Sequence, residues 1–435
     1  MKGLGAAGLV GLAGCTGGDG GDGGGDGGDG GDGGSDGGDG GDGGSGDGGD
    51  GGDGGADRVF VGLLAGFSGG LAWIGPRGRT GMEVAQKQIN DAGGITDAGL
   101  DFEFTTQDTE TLPSSALTGF ENLVADGVVG IVGASSTVTP NLFEPIKNTG
   151  IVYCTPYAGT PQVDSANGRW IYRSVAGDSI VGPALAQYAL DEGYETMYVT
   201  FKDDKGSQGF SVSVAEYFEA NGGEIVGETA LAPQAQSYRS EIEQITAAEP
   251  DIVQMTAGLE VGGLFAQNWA ERNVDIPVLV GNDVVNADFI SRVGADAAQG
   301  FFGPTPGVGP AFDTFAEQYE SLHGEAPSAF TQNAYDTAIA FALSLHRAGE
   351  VSRGALADNL KAVCNPDGTE VSTFTEGKEE LDAGNEVNYQ GAGTNMNFTE
   401  LNNVIGATNI QSVQDGEWTT ISTVSADDVS PPEGY

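Results

Sequence analysis

The chain has 435 residues, with 63 Asp and Glu against 17 Lys and Arg, and a formal net charge of −46. So little positive charge leaves no basic patch to neutralise phosphates, which excludes nucleic-acid binding. Eleven of the acids lie in residues 17–55 and Lys2 is the only base before residue 56, so the remainder still holds 52 acids against 16 bases. A surface that acidic repels itself unless screened, and molar salt shortens the Debye length to about 3 Å; the composition predicts adaptation to very high salt.

Residues 3–11 form a short, mildly apolar stretch with Lys2 as its cation, followed by Leu12-Ala13-Gly14-Cys15. The stretch resembles the end of an export signal whose basic segment is missing, and a start codon assigned too late would hide a twin-arginine segment. It is shorter than the roughly 20 residues needed to cross a bilayer. The order of apolar run, small residues, cysteine and glycine tract predicts lipidation at Cys15. Residues 1–15 are thus read as an export-signal remnant with a lipobox, and 16–56 as a tether. Beyond Thr16 the tether is almost wholly Gly, Asp and Ser. It has no apolar group to offset the entropy of folding, and a Gly-rich chain of its length spans roughly 35 Å. This predicts a folded domain held on the extracytoplasmic face of a membrane it does not cross.

The first strand is Arg58-Val59-Phe60-Val61-Gly62-Leu63-Leu64, nearly continuous in apolar residues as in a parallel sheet covered on both faces. A Gly/Ser-rich loop leads to a helix over 80–92, stopped by Gly93-Gly94. Strands over 101–106, 128–132 and 151–154 alternate with helices opening at Pro113 and Asn141. A second block repeats the alternation: helix 178–192, strand 196–201, helix 208–220, strand 224–227, helix 238–248, strand 251–255, helix 261–271, strand 277–280. Alternating strands and helices argue for doubly wound parallel sheets, one per block. After Phe301-Phe302-Gly303-Pro304 come helices over 311–322, 333–348 and 352–363, which need a sheet to cover; the first block's is the natural choice. Ile410 to Val413 and Trp418 to Ile421 form a hairpin about Asp415-Gly416. The predicted lobes are 57–177 continued by 305–400, and 178–304 continued by 401–435.

Chemistry is sparse. His323 and His346 sit in helices with no cysteine or second histidine at ligand spacing, so no metal site and no cofactor are expected. There is no phosphate loop and no Gly-x-Ser-x-Gly elbow, so an enzyme is the weaker hypothesis. Cys154 and Cys364 could close one disulfide, worth roughly 4–5 kcal/mol in the chain-entropy model, or remain buried thiols. The informative segments follow predicted strands, where open α/β sheets bind ligands. Gly133 to Pro140, including Ser135 and Ser136, offers hydroxyls and backbone N–H groups suited to a carboxylate or to plain helix capping. Thr155 to Pro161 is a second small, hydroxylic loop, and Gly281-Asn282-Asp283 brings a carboxylate for an ammonium or a turn. Trp73, ending the first loop, could wall an apolar side chain or pack in the core.

These loops resemble those of the leucine/isoleucine/valine-binding proteins, the type I periplasmic-binding fold that serves ATP-binding-cassette importers. The matching segments include Gly66 to Gly75, Gln88 to Ile95, Gly133 to Pro140, Gly150 to Pro161, Tyr172-Arg173-Ser174, Asp203 to Gly209, Gly281-Asn282-Asp283, Asn333 to Ala338 and Asp415 to Trp418. The resemblance implies an α/β protein of two doubly wound lobes joined by a three-segment hinge, closing on a branched-chain or related amino acid without catalysis. It implies a permease and an ATPase as partners and a monomeric receptor. It places Ser136 on the ligand carboxylate, Tyr157, Ala158 and Gly159 with Thr160 on a loop that also holds the ligand, Asp283 on the α-ammonium, and Trp73 or Ile74 beside the ligand side chain. Gly206 and Gly258 stand where the family carries tyrosines, and Gly159 where it carries a threonine, so ligand identity stays open. Because the same fold serves ligand-sensing receptors, sensing is the alternative; an extracellular hydrolase is a third.

Overall fold

A computed structural model describes residues 57–166, 168–425, 428, 429 and 435; Cys15 and the tether lie outside these. The chain first builds β1 (Arg58–Ala65), α1 (Ile74–Asp91), β2 (Asp101–Asp108), α2 (Pro113–Ala125), β3 (Gly130–Val132), α3 (Phe143–Thr149), β4 (Val152–Thr155) and β5 (Ile171–Arg173). The five strands form an all-parallel sheet in the order β2-β1-β3-β4-β5. The continuous apolar runs are explained by two covered faces. Val59, Val61, Leu63 and Ala65 of β1 enter one core cluster, Leu64 the opposite one. In β4, Val152 and Cys154 face the first cluster and Tyr153 the second.

A second sheet follows from α4 (Asp178–Asp191), β6 (Thr196–Lys202), α5 (Lys205–Ala220), β7 (Glu224–Leu231), α6 (Arg239–Ala247), β8 (Ile252–Thr256), α7 (Leu259–Glu271), β9 (Val278–Val280), α8 (Ala287–Val293), α9 (Ala295–Ala298) and β10 (Phe301–Pro306). The chain then returns to the first sheet's helices with α10 (Phe312–His323), α11 (Thr331–Ala348), α12 (Arg353–Cys364), β11 (Thr369–Val371), α13 (Phe374–Asp382) and β12 (Val387–Tyr389). It ends in the second sheet with β13 (Thr408–Gln414) and β14 (Glu417–Val424). The second sheet runs β14-β13-β10-β9-β8-β6-β7, antiparallel only where the last two strands join. The chain therefore passes between the two sheets three times, through residues 174–177, 307–311 and 390–407.

The expected hairpin is present. Asp415 and Gly416 both have positive φ, 51° and 83°, as a tight turn matched to strand twist requires. The helix expected from Thr80 begins at Ile74 instead. Gly75, Gly78 and Gly81 weaken its propensity, which hid its start. Packing requires all three: a Cβ on Gly75 would collide with the Phe67 ring and the Gly66 carbonyl, one on Gly78 with the Tyr157 hydroxyl, and one on Gly81 with the Thr331 carbonyl. Between residues 364 and 400 the sequence reading named no element, yet β11, α13 and β12 are there. The two strands have three residues each, too short to show a period.

α11 is the central strut. Every residue from Thr331 to His346 is buried, polar ones included, and each such group needs a partner. Asp336 accepts from the Tyr389 hydroxyl at 2.8 Å and from the Ala392 and Gly393 amides at 2.7 Å each. Asn333 Nδ2 donates to the Ser174 carbonyl, and the Thr337 and Ser174 hydroxyls share a 2.7 Å bond. His346 receives the Thr96 amide on Nδ1 and meets Asp382 through Nε2 at 2.8 Å. Of the two alternatives open for Cys154 and Cys364, a bridge or buried thiols, the structure has the thiols. Both cysteines are free and buried, with Cys154 Sγ 3.9 Å from the Thr337 hydroxyl. Burial pushes the Cys154 thiol up to about 12, so it behaves as a small core side chain.

Candidate functional site

Both sheets change direction of winding internally, the first between β1 and β3, the second between β6 and β8. Loops beyond the C-terminal ends of such strands form a crevice. In the first lobe these loops are braced from below. Thr155, at the end of β4, donates its hydroxyl to the Ala134 carbonyl at 2.7 Å and accepts the amides of Tyr157 and Ala158. One buried hydroxyl thus ties the β3 loop to the β4 loop. Tyr153 adds a second tie, its oxygen accepting the Ala134 amide and bonding the Thr139 hydroxyl at 2.7 Å each. Ser136 Oγ accepts the Thr160 amide at 3.2 Å. With those bonds made, the backbone N–H groups of Ser135, Ser136, Thr137 and Gly159 have no partner among the described residues.

Arg173 fixes the far end of the same loop. It is fully buried, and its guanidinium donates to the Gly159 and Thr160 carbonyls at 3.1 and 3.4 Å and to Asp164 at 2.6 Å. Asp164 also accepts from Ser179 of α4 at 2.5 Å. Tyr435 lies under the guanidinium, 4.9 Å from its ring centroid. The Tyr435 hydroxyl accepts the Gly177 amide at 2.7 Å and donates to the Val404 carbonyl at 3.0 Å. Two of the three crossings are pinned together by that residue.

The second lobe brings carboxylates. Asp178 opens α4, directly after the first crossing, and its amide donates to the Gly159 carbonyl at 2.7 Å. Its carboxylate sits where a Cβ of Gly159 would be. Burial pushes Asp178 up to about 7, Asp283 and Asp164 adding to the shift and Arg173 opposing it. Asp283 follows β9 and is pushed up to about 6 by burial and by Asp204, against the pull of Lys202. Neither carboxylate has a hydrogen-bond or ion-pair partner among the described residues.

Between the lobes lies a gap lined by Tyr157, Gly159 and Phe330 on one side and by Asp178, Val181, Asn282 and residues 304–306 on the other. Val175, Ala176 and Ala407, from the crossings, close its floor. The gap holds ≈ 380 Å³ of atom-free space including its mouth, of which ≈ 20 Å³ is wide enough for a water-sized sphere. The Tyr157 hydroxyl is buried at its edge without a partner.

Of the residues expected to hold a ligand, Tyr157 and Gly159 line this gap directly. Ser136 and Thr160 are joined to each other on the adjacent loop. Asp283 is next to the lining residue Asn282. Trp73 packs against Phe330 with tilted rings, centroids 5.6 Å apart, under the Arg77 guanidinium at 4.4 Å, and so reaches the gap through Phe330. Ile74, Ala158 and Ser135 have buried side chains, and Ile74 belongs to the first-lobe core, so of the Trp73/Ile74 pair the structure leaves Trp73 nearer the gap. The sequence reading did not single out Asp178, Arg173, Thr155 or Phe330. Arg173 had a signal: a lone arginine inside the apolar Ile171-Tyr172-Arg173 strand. Asp178 reads locally as a helix-start aspartate, and nothing local separates the two roles.

The family model described as periplasmic binding protein matches residues 58–379. The Leu-, Ile-, Val-, Thr- and Ala-binding protein of Pseudomonas aeruginosa is 23% identical over 313 residues, 71% of this chain and 83% of that protein. Among solved structures, the isoleucine complex of a branched-chain amino acid transporter substrate-binding protein from Streptococcus pneumoniae superposes with a TM-score of 0.70 at 18% identity, covering 86% of this chain and 100% of that one. A solute-binding protein of R. palustris in complex with benzoate superposes with a TM-score of 0.69 at 16% identity, covering 87% and 98%. These likenesses show the fold.

Proposed function

Because the chain belongs to the periplasmic-binding-protein family, we propose that it is the extracytoplasmic solute receptor of an ATP-binding-cassette importer and takes an amino acid of the branched-chain or a related class into the gap between its lobes. The observation that carries this reading is the division of unpaired polar groups. Unpartnered backbone N–H groups at Ser135 to Thr137 and Gly159 stand on the first lobe, and the free carboxylates of Asp178 and Asp283 on the second. Successive free amides suit a carboxylate and a free carboxylate suits an ammonium, so a zwitterion engages both walls at once. Ser136, Tyr157, Gly159 and Thr160 hold the acid end, Asp283 the ammonium, and Trp73 with Phe330 the apolar side chain. A gap this narrow admits such a ligand only when the lobes part, and closes on it when they return. Binding without bond breaking is the whole of the chemistry in this reading.

Titration calorimetry of the full chain with leucine, isoleucine and valine in molar salt tests it. Binding that Asp283→Ala and Ser136→Ala each weaken is the expected result. Absence of binding for every amino acid overturns it.

The membrane attachment belongs to the same proposal. Cys15 carries the lipid, and the Gly/Asp tract lets the lobes reach the permease. Cys15→Ser is expected to move the protein from the membrane fraction to the medium, and a variant still sedimenting with membranes would refute the anchor.

A further inference from the structure

Asp178 has the ordinary explanation of an acid in a helix's first turn, complementing the helix dipole. That explanation leaves its carboxylate unused: it accepts no backbone amide of α4, and its own amide is turned to the Gly159 carbonyl at 2.7 Å. It lines the gap, pressed against Gly159. The charges around it do not cancel it. Arg173, the cation acting on it, is engaged by Asp164 at 2.6 Å, a pair neutral in sum. Asp204, which faces Asp283, is paired with Lys202 at 2.9 Å. On the α1 side, Arg77 interacts first with Tyr157 and then with Asp288 of α8, and neither gap carboxylate is among the groups acting on it. Asp178 and Asp283 therefore remain as two acids without an ion-pair partner, and Asp283 is close enough to raise the proton affinity of Asp178. The groups proposed above for a ligand carboxylate are neutral amides and a hydroxyl. A neutral-side-chain amino acid supplies one ammonium for two carboxylates, and the second acid is left half-buried without a partner, its charged form disfavoured. The Tyr157 hydroxyl, 7% exposed and without a partner in the same gap, is an independent sign of a polar ligand atom there. Val181, Pro306 and Phe330 supply apolar walls for a methylene chain.

We infer that Asp178 is a second cation-binding carboxylate of the gap, and that the ligand carries an amino or amidino cation in addition to its α-ammonium, as a diamino acid does. This inference rests on the receptor reading above and narrows its ligand class. The spacing between Tyr157, Asp178 and Asp283 selects chain length, and the ligand's second cation replaces the proton that one acid otherwise retains.

Calorimetry on the full chain in molar potassium chloride, at about pH 8 where both carboxyls are ionised, compares leucine with lysine, ornithine and arginine, for the native protein and for Asp178→Asn. The native protein is expected to bind at least one of the cationic amino acids about tenfold or more tighter than leucine. Asp178→Asn should erase that margin by weakening the cationic amino acids about tenfold more than leucine. Leucine bound as tightly as all three cationic ligands by the native protein, which needs no variant to fold, overturns the inference and leaves the receptor reading standing. Equal weakening of leucine and lysine by Asp178→Asn, with the far-ultraviolet spectrum unchanged, makes Asp178 a positioning residue and also overturns it. Failure of every amino acid to bind removes both readings together.

Discussion

The two walls of the gap are built on opposite principles. On the first-lobe wall the polar side chains, the Tyr157 hydroxyl excepted, are engaged internally. Thr155 serves three partners and Tyr153 two, Ser136 holds the Thr160 amide, and Arg173 spans two carbonyls and Asp164. On the second-lobe wall Asp178 and Asp283 have nothing, and their proton affinities rise accordingly. One wall is braced by its own hydrogen bonds, and on the proposed reading the other gains its partners from the ligand. The difference teaches where substitutions register. Changes on the braced wall alter folding, and changes on the unpaired wall alter binding and pH response.

Arg173→Met should have the largest effect. It strands Asp164 and the carbonyls of Gly159 and Thr160, and breaking a buried pair from one side costs about 3–5 kcal/mol. Denaturant unfolding with the native protein as reference reads this directly, and a loss below about 1 kcal/mol would break the claim that the first-lobe wall is braced through this residue. Asp336→Ala frees two buried amides and the Tyr389 hydroxyl; about 3 kcal/mol is expected from lost partners. Affinity is not a direct target of that change, since Asp336 lies inside the first lobe.

On the unpaired wall the expectation reverses. Asp283→Ala should weaken binding by about 2–3 kcal/mol, and Ser136→Ala by about 1 kcal/mol. Without ligand, Asp283→Ala should not destabilise the fold, because an unpaired half-buried acid is removed. Equal stability losses on both walls would erase the comparison.

pH sharpens it further. Asp178 and Asp283 have folded values near 7 and 6, above the ordinary 3.8. Between the two limits the folded state holds more protons than the unfolded one, so stability without ligand falls as pH rises through about 4 to 7 and is regained on acidification. The groups bearing on this window are Arg173 and Asp164 at Asp178, and Asp204 and Lys202 at Asp283. Melting temperature plotted against pH, native protein minus the Asp178→Asn/Asp283→Asn double variant, isolates the pair from the acidic surface. A flat difference curve would contradict the shifts. The smallest expected change is Tyr435→Phe, which gives up the bonds to Gly177 and Val404 between two crossings and should cost about 1 kcal/mol.

Much of the architecture was legible because its signals are local. A strand such as Val59 to Leu64 is apolar throughout because both faces are covered, and that shows without any partner in view. The β13–β14 hairpin is announced by its Asp-Gly turn. α13 was legible and missed: Thr373 and Glu376 form a reciprocal cap, a spacing visible in the sequence. The site was legible only in part. Following strands to their C-terminal ends led to the loop whose Tyr157 and Gly159 line the gap, and to Asp283 beside the lining residue Asn282. It could not find Phe330, which reaches the gap from the segment before α11, or tell that Ile74 turns into the core.

The sequence by itself determined the alternation of strands and helices, the acidity and the loops where a ligand would be met, since these follow from period, composition and turn chemistry within a few residues. Tertiary structure alone decided which polar groups are satisfied. Arg173 finds Asp164 and the 159–160 carbonyls, Cys154 meets Thr337 rather than Cys364, and Asp178 is left facing the gap. Whether a buried charge has a partner depends on chain that arrives from far along the sequence, and no local pattern carries that information.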